Sequence, residues 1–392
     1  MSVEGIRKTD VKVTDTVKYI GVDDTTIDIF ESQYPVEDGI SYNSYIILDE
    51  KIAIMDTVDA RGGDEWLERV EEALAGKEPS YLIVSHLEPD HAACIKMLTD
   101  KYPKTIIIGS AKTQAMLPQF FDLQGIEVKC VAEGEELNLG SHTLQFFMAP
   151  MVHWPEVMVT YEKSEKILFS ADGFGTFGAI CSDRKWIADA THYYFNIVGK
   201  YGPSVQALLK KASTLDISII APLHGPVLTD DLSYYIEKYD AWSNYKPEKN
   251  GIFVAYASIH GNTKAAALKF AEDLEKSGEI VETMDLTRED ITEAVEKCFM
   301  YDRIILACAT YDGGLFPPME DLIYHLEMKN FQNRKIGLIE NGSWGPLAAK
   351  KMSERLSALK DITICPTVVT IKSVMKPENA DALEALKKEI SH

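Results

Sequence analysis

One short segment of the chain carries several side chains that bind metals. Residues 85–91 read Ser-His-Leu-Glu-Pro-Asp-His, so four potential ligands fall within six positions: His86, Glu88, Asp90 and His91. The segment directly follows a short apolar stretch that is typical of a buried strand. Side chains in a tight loop at a strand end can converge on one ion. The spacing therefore predicts a metal-binding loop.

Three further candidate ligands occupy the same kind of position, just past a predicted strand. They are His153, Asp172 and His224. Because the ends of several strands meet at one rim of a sheet, we expect these side chains to join the first four. The full set has four histidines and three carboxylates without a cysteine, which suits iron, manganese or zinc and argues against a structural zinc site. If Asp172 bridges, each of two metals can take two nitrogens and two oxygens from the protein.

A second constellation lies in the last third of the chain and would suit a phosphate group. Between a predicted strand and a predicted helix stand Ser258, Ile259, His260, Gly261, Asn262 and Thr263. Hydroxyls, an amide and successive backbone N–H groups at a helix N-terminus bind anions, because the helix dipole adds to the hydrogen bonds. The segment is predicted to be a phosphate cradle. A plain helix-capping turn is the alternative.

Two more loops are predicted at the same edge of the sheet. One contains Thr310, Tyr311, Asp312, Gly313 and Gly314, and the other contains Gly342, Ser343, Trp344 and Gly345. Their glycines permit close backbone approach, and each loop has an aromatic side chain that can stack on a planar ring. A phosphate cradle with two such loops resembles the FMN site of flavodoxins. The alternative is that the two aromatics are ordinary half-buried loop residues.

The elements that must position these residues fall into two groups. After residue 250, predicted strands near 251–257, 280–284, 303–309, 335–339 and 366–371 alternate with predicted helices. Five such β/α units indicate a doubly wound, flavodoxin-like parallel sheet. The earlier part is less regular, which is compatible with an αββα sandwich and with other α/β folds. We predict an α/β protein with domains at 1–245 and 251–392 and a polar, proline-containing linker at 246–250.

The composition limits the classes of partner. The chain has 392 residues, 46% of them apolar, and a formal net charge of −21. Such a surface is repelled by nucleic acids and anionic membranes, and no apolar run is long enough to span a bilayer. The six cysteines are scattered without a C-x-x-C pair, which excludes a thiolate iron–sulfur centre of the usual spacing and favours reduced thiols. We expect a cytoplasmic enzyme that binds neither nucleic acid nor membrane.

The metal-binding loop resembles the H-x-H-x-D-H motif of the metallo-β-lactamase superfamily. Glu88 stands where the second histidine of that motif would be, and the resulting H-x-E-x-D-H pattern is similar to that of the flavodiiron proteins. Segments 39–45, 151–155 and 169–175 are similar to family segments as well. With the flavodoxin-like loops, the resemblance covers essentially the whole chain. It implies a metallo-β-lactamase-like αββα sandwich followed by a flavodoxin-like doubly wound parallel sheet.

The resemblance also implies cofactors and a role for each ligand. The cofactors would be FMN and two iron ions per chain. The ligands of the iron nearer the flavin would be His86, Glu88 and His153. The ligands of the other iron would be Asp90, His91 and His224, with Asp172 as the bridge. Tyr194 lies in a segment that resembles one near the family's catalytic site, which implies a catalytic role for it. The alternative is that Tyr194 is a tyrosine of the apolar core without a catalytic role.

The implied activity is the reduction of dioxygen to water, of nitric oxide to nitrous oxide, or of both. Two ferrous irons can supply one electron each and reduced FMN two more, which matches the four electrons that dioxygen needs. Because the chain lacks C-x-x-C pairs, the electron donor would be separate: a rubredoxin-like protein or a flavin- or deazaflavin-linked reductase. The family also implies a head-to-tail homodimer, with a tetramer as its extension, in which FMN of one chain serves the irons of the other.

Two other functions are compatible with part of the sequence. A two-zinc hydrolase of the metallo-β-lactamase type, joined to an electron-carrying flavodoxin domain, would use most of the same ligands. Glu88 argues against it, and hydrolysis has no need of a flavin. A pure electron carrier with a degenerate first domain is disfavoured because every ligand position is filled.

Overall fold

The computed structural model describes residues 6–7 and 11–391. The chain forms two compact units. The first ends at Tyr194 and resumes over Pro203–Asp240, and the second comprises Phe195–Gly202 and the chain from Ala241 onwards. Every helix in the described part of the chain is too short or too polar to cross a lipid bilayer.

The limits of the second unit differ from those expected from the sequence. Its first strand begins at Lys249, inside the predicted linker. The segment Phe195–Gly202 joins it because Phe195 stacks on Phe299, with ring centroids 4.7 Å apart, and Asn196 Nδ2 donates to the Thr292 carbonyl at 3.2 Å. Contacts of this kind join residues about a hundred positions apart, so no local pattern indicates them.

The first unit is built mainly from short strands. They are β1 Ile6–Arg7, β2 Val17–Tyr19, β3 Val22–Asp24, β4 Ile29–Phe30, β5 Tyr34–Pro35, β6 Ile40–Tyr42, β7 Tyr45–Ile47, β8 Ala53–Met55, β9 Tyr81–Ile83, β10 Ile106–Gly109, β11 Val128–Cys130, β12 Glu136–Asn138, β13 Thr143–Met148, β14 Met158–Glu162, β15 Ile167–Phe169 and β16 Ile219–Ala221. The helices are α1 Gly63–Leu74, α2 Pro89–Ala92, α3 Ile95–Lys101, α4 Ala111–Phe120, α5 Ile187–Tyr193, α6 Gly202–Ala212 and α7 Leu232–Ser243.

Two sheets of this unit share one apolar core. Their strand orders are β11-β10-β9-β8-β7-β2 and β12-β13-β14-β15-β16. The core joins Tyr45 and Ile83 of the first sheet to Phe146 and Phe169 of the second. Sheets with one apolar face bury it against each other, and helices cover the outside. The αββα sandwich that the resemblance implied is therefore confirmed.

The apolar residues among 42–48 predict a single strand, and this prediction is wrong. The chain instead forms β6 and β7, which belong to different sheets. Between them, Asn43 Nδ2 donates to the carbonyls of Pro222 and Gly225, both at 2.8 Å, and the Asn43 N–H donates to the Leu223 carbonyl at 2.8 Å. These long-range hydrogen bonds take the place of strand pairing at this point, so the apolar run divides.

The second unit alternates strands and helices as predicted. Its strands are β17 Lys249–Ala257, β18 Val281–Asp285, β19 Tyr301–Tyr311, β20 Gly314–Leu315, β21 Arg334–Asn341 and β22 Ile362–Ile371. Its helices are α8 Asn262–Lys276, α9 Ile291–Met300, α10 Pro317–Met328, α11 Ala348–Leu356 and α12 Ala380–Ile390. The sheet has the order β18-β17-β19-β21-β22, with all neighbours parallel.

This strand order is the flavodoxin order and fixes where a ligand can bind. Alternate residues of β17, Ile252 and Val254, pack against Phe270 of α8, and the same core includes Leu386 of α12. Connections leave β17 and β19 in opposite directions, which opens a crevice at the carboxyl ends of these strands. The predicted doubly wound parallel sheet is confirmed.

Candidate metal centre and flavin site

The first four candidate ligands follow strand β9. His86 and Glu88 lie in the loop after the strand, and Asp90 and His91 lie on the short helix α2. The Thr57 hydroxyl donates to the His91 carbonyl at 2.7 Å and fixes the helix. The proline that opens α2 suits the first position of a helix, where its missing N–H is not needed. The loop and the helix thus bring four candidate ligands to the end of β9.

The other three candidates come from the second sheet of the sandwich. His153 lies in the connection between β13 and β14, Asp172 follows β15, and His224 follows β16. Because β15 and β16 pair in parallel, their carboxyl ends reach the same edge. The structure brings all seven predicted ligands together there.

One set of donors surrounds a single oxygen of Asp172. His153 Nε2 lies 3.1 Å from Glu88 Oε2 and 3.1 Å from Asp172 Oδ2. His86 Nε2 lies 3.1 Å from the same Glu88 oxygen and 3.4 Å from the same Asp172 oxygen. Two nitrogens and two oxygens therefore face a common centre.

A second set surrounds the other oxygen. Asp90 Oδ2 lies 3.2 Å from His91 Nε2 and 3.1 Å from His224 Nε2. Asp172 Oδ1 lies 3.2 Å from His91 Nε2 and 3.9 Å from His224 Nε2. The carboxylate of Asp172 is thus divided between two sets, each with two imidazole nitrogens.

The burial of these donors tests whether they fit metal ions. Both oxygens of Asp90, Nε2 of His91 and His153, and Oδ1 of Asp172 are buried and have no hydrogen-bond partner among the described residues. Buried polar atoms without a partner are costly, so proteins rarely leave several of them in one place. Two cations at the centres of the two sets would satisfy them, and the oxygen and imidazole donors fit iron.

The electrostatics of the cluster also suit cations. Burial lowers the pKa of His153, but the nearby carboxylates of Asp172 and Glu88 outweigh it and raise that pKa to about 9. Burial likewise opposes ionisation of Asp172, yet the charge of His91 and the nearby His153 ring hold its pKa well below the usual range. The carboxylates thus attract positive charge, which metal ions would supply in exchange for protons.

Two groups that orient the ligands were not predicted from the sequence. Glu156 Oε1 lies 2.7 Å from His86 Nδ1, and the Ser41 carbonyl lies 2.7 Å from His224 Nδ1. A metal-binding histidine commonly donates its second ring N–H to such a group, which fixes the ring. Glu156 is three residues from His153, and this proximity is the signal that could have identified it. The sequence does not distinguish a buried carboxylate from a surface one, so Glu156 was not predicted. A backbone carbonyl leaves no signal at all.

Two aromatic rings border the second set of ligands, and one more carboxylate lies near Glu88 of the first set. The rings of Phe30 and Tyr193 lie 5.5 and 5.6 Å from the His224 ring. Phe30 ends β4, and Glu31 follows it at the tip of the β4–β5 hairpin, where burial and the charge of Glu88 raise its pKa to about 7. None of these three residues was predicted to belong to the site.

The predicted residue Tyr194 is the neighbour of Tyr193. The Tyr194 side chain is fully buried, and its ring lies edge-on to Tyr239 with centroids 5.0 Å apart. Side chains of adjacent helical residues point about 100° apart, so two neighbouring tyrosines cannot both pack on the same ligand. The structure places Tyr193 on His224, and the catalytic role of Tyr194 stays a prediction.

The flavin residues predicted from the sequence surround one cavity of about 830 Å³. Thirteen of the fifteen line it, and the other two, Gly261 and Gly314, are part of the same loops. Ala309, Asn341, Leu347 and Ser373 line it as well and were not predicted. The cavity opens at the carboxyl ends of the strands, where the strand order leads us to expect a ligand.

Each loop of the cavity has a backbone that suits a flat, phosphorylated ligand. Gly261 has φ +90° and directly precedes α8, whose second residue is the buried Thr263. Asp312 and Gly313 have φ +48° and +73°, which closes the tight turn between β19 and β20. Trp344 is 97% exposed, so one face of its ring is available for stacking. These features fit FMN.

Comparison with protein families agrees with this architecture. Residues 40–225 match the family described as ODP family beta lactamase, and residues 254–385 match the flavodoxin family. The fold and the site therefore define a protein in which a β-lactamase-type metal domain precedes a flavodoxin domain.

Relatives extend over most of the chain. A flavo-diiron protein of Clostridium acetobutylicum is 28% identical over 366 residues, covering 89% of this chain and 91% of the relative. An anaerobic nitric oxide reductase flavorubredoxin of Aliivibrio salmonicida is 26% identical over 363 residues, covering 88% and 72%. The solved rubredoxin oxygen:oxidoreductase of Desulfovibrio gigas superimposes with a TM-score of 0.91 at 25% identity, covering 98% of both chains. A flavodiiron protein of Giardia intestinalis, 24% identical, has the same fold, with a TM-score of 0.90 over 98% of this chain and 96% of its own.

The chain belongs to the flavodiiron protein family and is an oxidoreductase. Its flavodoxin domain and its flavodiiron relatives imply FMN and a two-iron site as cofactors.

Proposed function

We propose that the protein reduces dioxygen, nitric oxide or both at a two-iron site that is supplied with electrons by FMN. The observation that carries the proposal is the division of the Asp172 carboxylate between two sets of ligands. A bridging carboxylate holds two metal ions close enough to act on one diatomic molecule or on two. Hydrolysis would not require the 830 Å³ cavity at the end of the flavodoxin sheet.

The side chains of the first unit place and shield the metals. His86, Glu88 and His153 would hold one ion, Asp90, His91 and His224 the other, and Asp172 both. Bound iron and FMN would supply one- and two-electron chemistry. Glu156 orients the His86 ring, and the buried rings of Phe30 and Tyr193 keep bulk water away from His224.

The loops of the second unit would hold FMN by three kinds of contact. Thr263 and the N–H groups at the start of α8 would bind its phosphate. The turn at Asp312 and Gly313 brings backbone close to the ring system, and Trp344 would stack on it. The Thr310 hydroxyl accepts from the N–H groups of Leu347 and Ala348 at 2.9 and 3.1 Å, which ties two of the loops together.

The active assembly would be a head-to-tail homodimer, which could pair further into a tetramer. A domain of this size has a radius of gyration of roughly 18 Å, so two centres in different domains can lie tens of ångströms apart. Electron transfer weakens steeply over such a distance. A two-fold axis that sets each flavin against the irons of the partner would shorten the distance between the two centres.

Complementation tests the dimer. A chain with His91→Ala is mixed with a chain whose 258–263 loop carries several substitutions, and subunits are allowed to exchange. Transfer between chains predicts recovered gas reduction, because the mixed dimer pairs one intact flavin with one intact metal site. Stable mixed dimers that remain inactive would contradict the head-to-tail arrangement.

The reaction itself is tested by consumption of each gas. The purified, iron-loaded protein is supplied with a reduced rubredoxin, and dioxygen and nitric oxide are followed separately by electrode. His91→Asn should abolish both activities, whereas His142→Asn, a buried histidine of the same unit outside both ligand sets, should retain them. Metal analysis that returns mainly zinc after growth with added iron would favour a hydrolase instead.

The six cysteines of the chain are all free thiols. Free thiols persist in reducing compartments, which supports a cytoplasmic location for the enzyme and its separate electron donor.

A further inference from the structure

Two loops beside the flavin cavity are tied to each other. Asn341 Nδ2 donates to the Ser373 carbonyl at 3.0 Å, and the Ser373 N–H donates to Asn341 Oδ1 at 3.1 Å. The hydroxyls of Ser343 and Ser373 lie 2.7 Å apart. Ser373 itself lines the cavity, so the residues that flank it are held at the cavity edge.

The charge of this region is opposite to that of the chain. Residues 343–376 contain six Lys or Arg and two Asp or Glu, whereas the whole chain contains 40 and 61. Four of these lysines are exposed and stand beside the flavin loops: Lys350, Lys351, Lys372 and Lys376. We refer to these four as the lysine rim. The rim ends at Glu378 and Asp381, where the charge becomes negative again.

The lysine rim does little to stabilise its own fold. Among the described residues, no carboxylate lies within 4.0 Å of the Lys372 or Lys376 ammonium group. Lys350 and Lys351 reach Glu354 only at 3.9 and 4.0 Å, too far for a hydrogen bond. Both lie in the first turn of α11, where the helix dipole disfavours positive charge. Four such charges in one place suggest recognition of something outside the chain.

Exposed apolar side chains lie next to the rim. Val374 is 55% exposed, whereas the exposed Trp344 and Leu347 belong to the flavin cavity itself. Val374 stands between Lys372 and Lys376 in sequence. Apolar surface bordered by charge is typical of a protein docking site, where burial contributes affinity and charge contributes orientation.

We propose that the lysine rim is the docking surface for an acidic electron-donor protein with a one-electron centre. The proposal rests on the proposed function, in which FMN takes electrons from a separate donor. A chain of net charge −21 repels an acidic protein over most of its surface, so a basic patch beside the flavin would select both the site and the orientation of the encounter. Nucleic acids and anionic membranes have far more extended charge and would meet the repulsion of the whole chain.

The electron balance of the step is simple. Each docked donor gives up one electron and is oxidised, so two successive encounters and two protons from solvent reduce the flavin fully. Because each donor must leave before the next arrives, an interface held mainly by charge suits the step: it associates fast and dissociates readily.

Charge reversal tests the rim. In the double variant Lys372→Glu/Lys376→Glu, stopped-flow reduction of the bound FMN by a reduced acidic rubredoxin should have a second-order rate constant lower by about 10-fold or more in dilute buffer. The difference should shrink toward none near 0.5 M salt, where screening acts over only a few ångströms. The milder Lys372→Gln/Lys376→Gln should show a smaller loss in the same direction.

The matched control is Lys360→Glu/Lys388→Glu. These lysines are exposed, change the net charge equally and lie at the opposite ends of the strands of the same sheet. The control should reduce at the wild-type rate. The proposal would be overturned by equal reduction rates in all proteins or by equal losses in both charge-reversal variants. It would also be overturned if the rim variant dissociated into smaller species on size exclusion, because the rim would then be a subunit interface.

A second reductant separates this proposal from the proposed function. Photoreduction with neutral deazariboflavin needs no protein docking, so it should reduce every variant equally. If photoreduced wild type consumes gas while reduced rubredoxin transfers no electrons to it, the docking proposal fails and the proposed function stands. If photoreduced, iron-loaded wild type consumes neither gas, the proposed function itself fails.

Discussion

Replacing Glu156 by glutamine should weaken one metal position and spare the other. Glu156 is 1% exposed, and its Oε1 accepts from His86 Nδ1 at 2.7 Å and from the Leu87 N–H at 2.9 Å. Burial raises the pKa of Glu156, but the hydrogen bond to His86 outweighs it and holds that pKa below its usual value. The carboxylate therefore keeps the proton of the ring on Nδ1 and leaves Nε2 for the metal.

The magnitude follows from the loss of charge at unchanged shape. A glutamine can still accept through its amide oxygen, but a hydrogen bond to a charged group contributes about 1.5–3 kcal/mol and a neutral one about 0.5–1.5 kcal/mol. The difference, about 1–2 kcal/mol, corresponds to about 5–30-fold in affinity. Only the set that contains His86 should be affected, because among the described candidate ligands it is the His86 side chain that hydrogen-bonds to Glu156.

The assay is iron removal by a competing chelator, followed by metal analysis. The matched control is Glu162→Gln, which replaces a fully buried carboxylate of the same unit that, among the described residues, accepts from the N–H groups of Ser164 and Glu165 at 2.9 and 2.6 Å. Glu156→Gln should show one weakened and one wild-type iron, whereas the control should keep both. Wild-type affinity at both positions in Glu156→Gln would refute the reasoning.

Other substitutions separate the two centres and test the fold. His91→Ala or Asp172→Ala should abolish gas reduction and leave the FMN absorbance intact, because the ligands and the cavity belong to different units; loss of flavin would contradict this. Thr263→Ala should weaken FMN binding by about 2–10-fold, the value of one hydrogen bond, as measured by flavin fluorescence, with iron content unchanged. Arg334→Ala should lower the free energy of unfolding by about 2–4 kcal/mol in thermal or urea unfolding, since the buried guanidinium donates to the Tyr245 and Asn333 carbonyls, both at 2.8 Å. An unchanged transition would show that water replaces these bonds.

Much of the second unit could be predicted because its signals are local. Apolar runs of strand length recur between helical stretches, and the loops after them carry Gly261, Asp312 and Trp344 within a few positions of each strand end. The chain order of such units and the parallel pairing then dictate the edge at which the loops meet. The seven candidate ligands were recognisable for the same reason, since each lies within a few residues of a strand end and has a metal-binding side chain.

Tertiary structure alone decided how those residues combine. Sequence supplies the list of ligands, but only packing of two sheets sets one oxygen of Asp172 toward His153 and the other toward His91. It also brings Glu156 under His86 and turns Tyr193, not Tyr194, onto His224. Each of these outcomes depends on distances between residues far apart in the chain. Such distances follow from the packing of whole sheets and helices, and no local pattern records them.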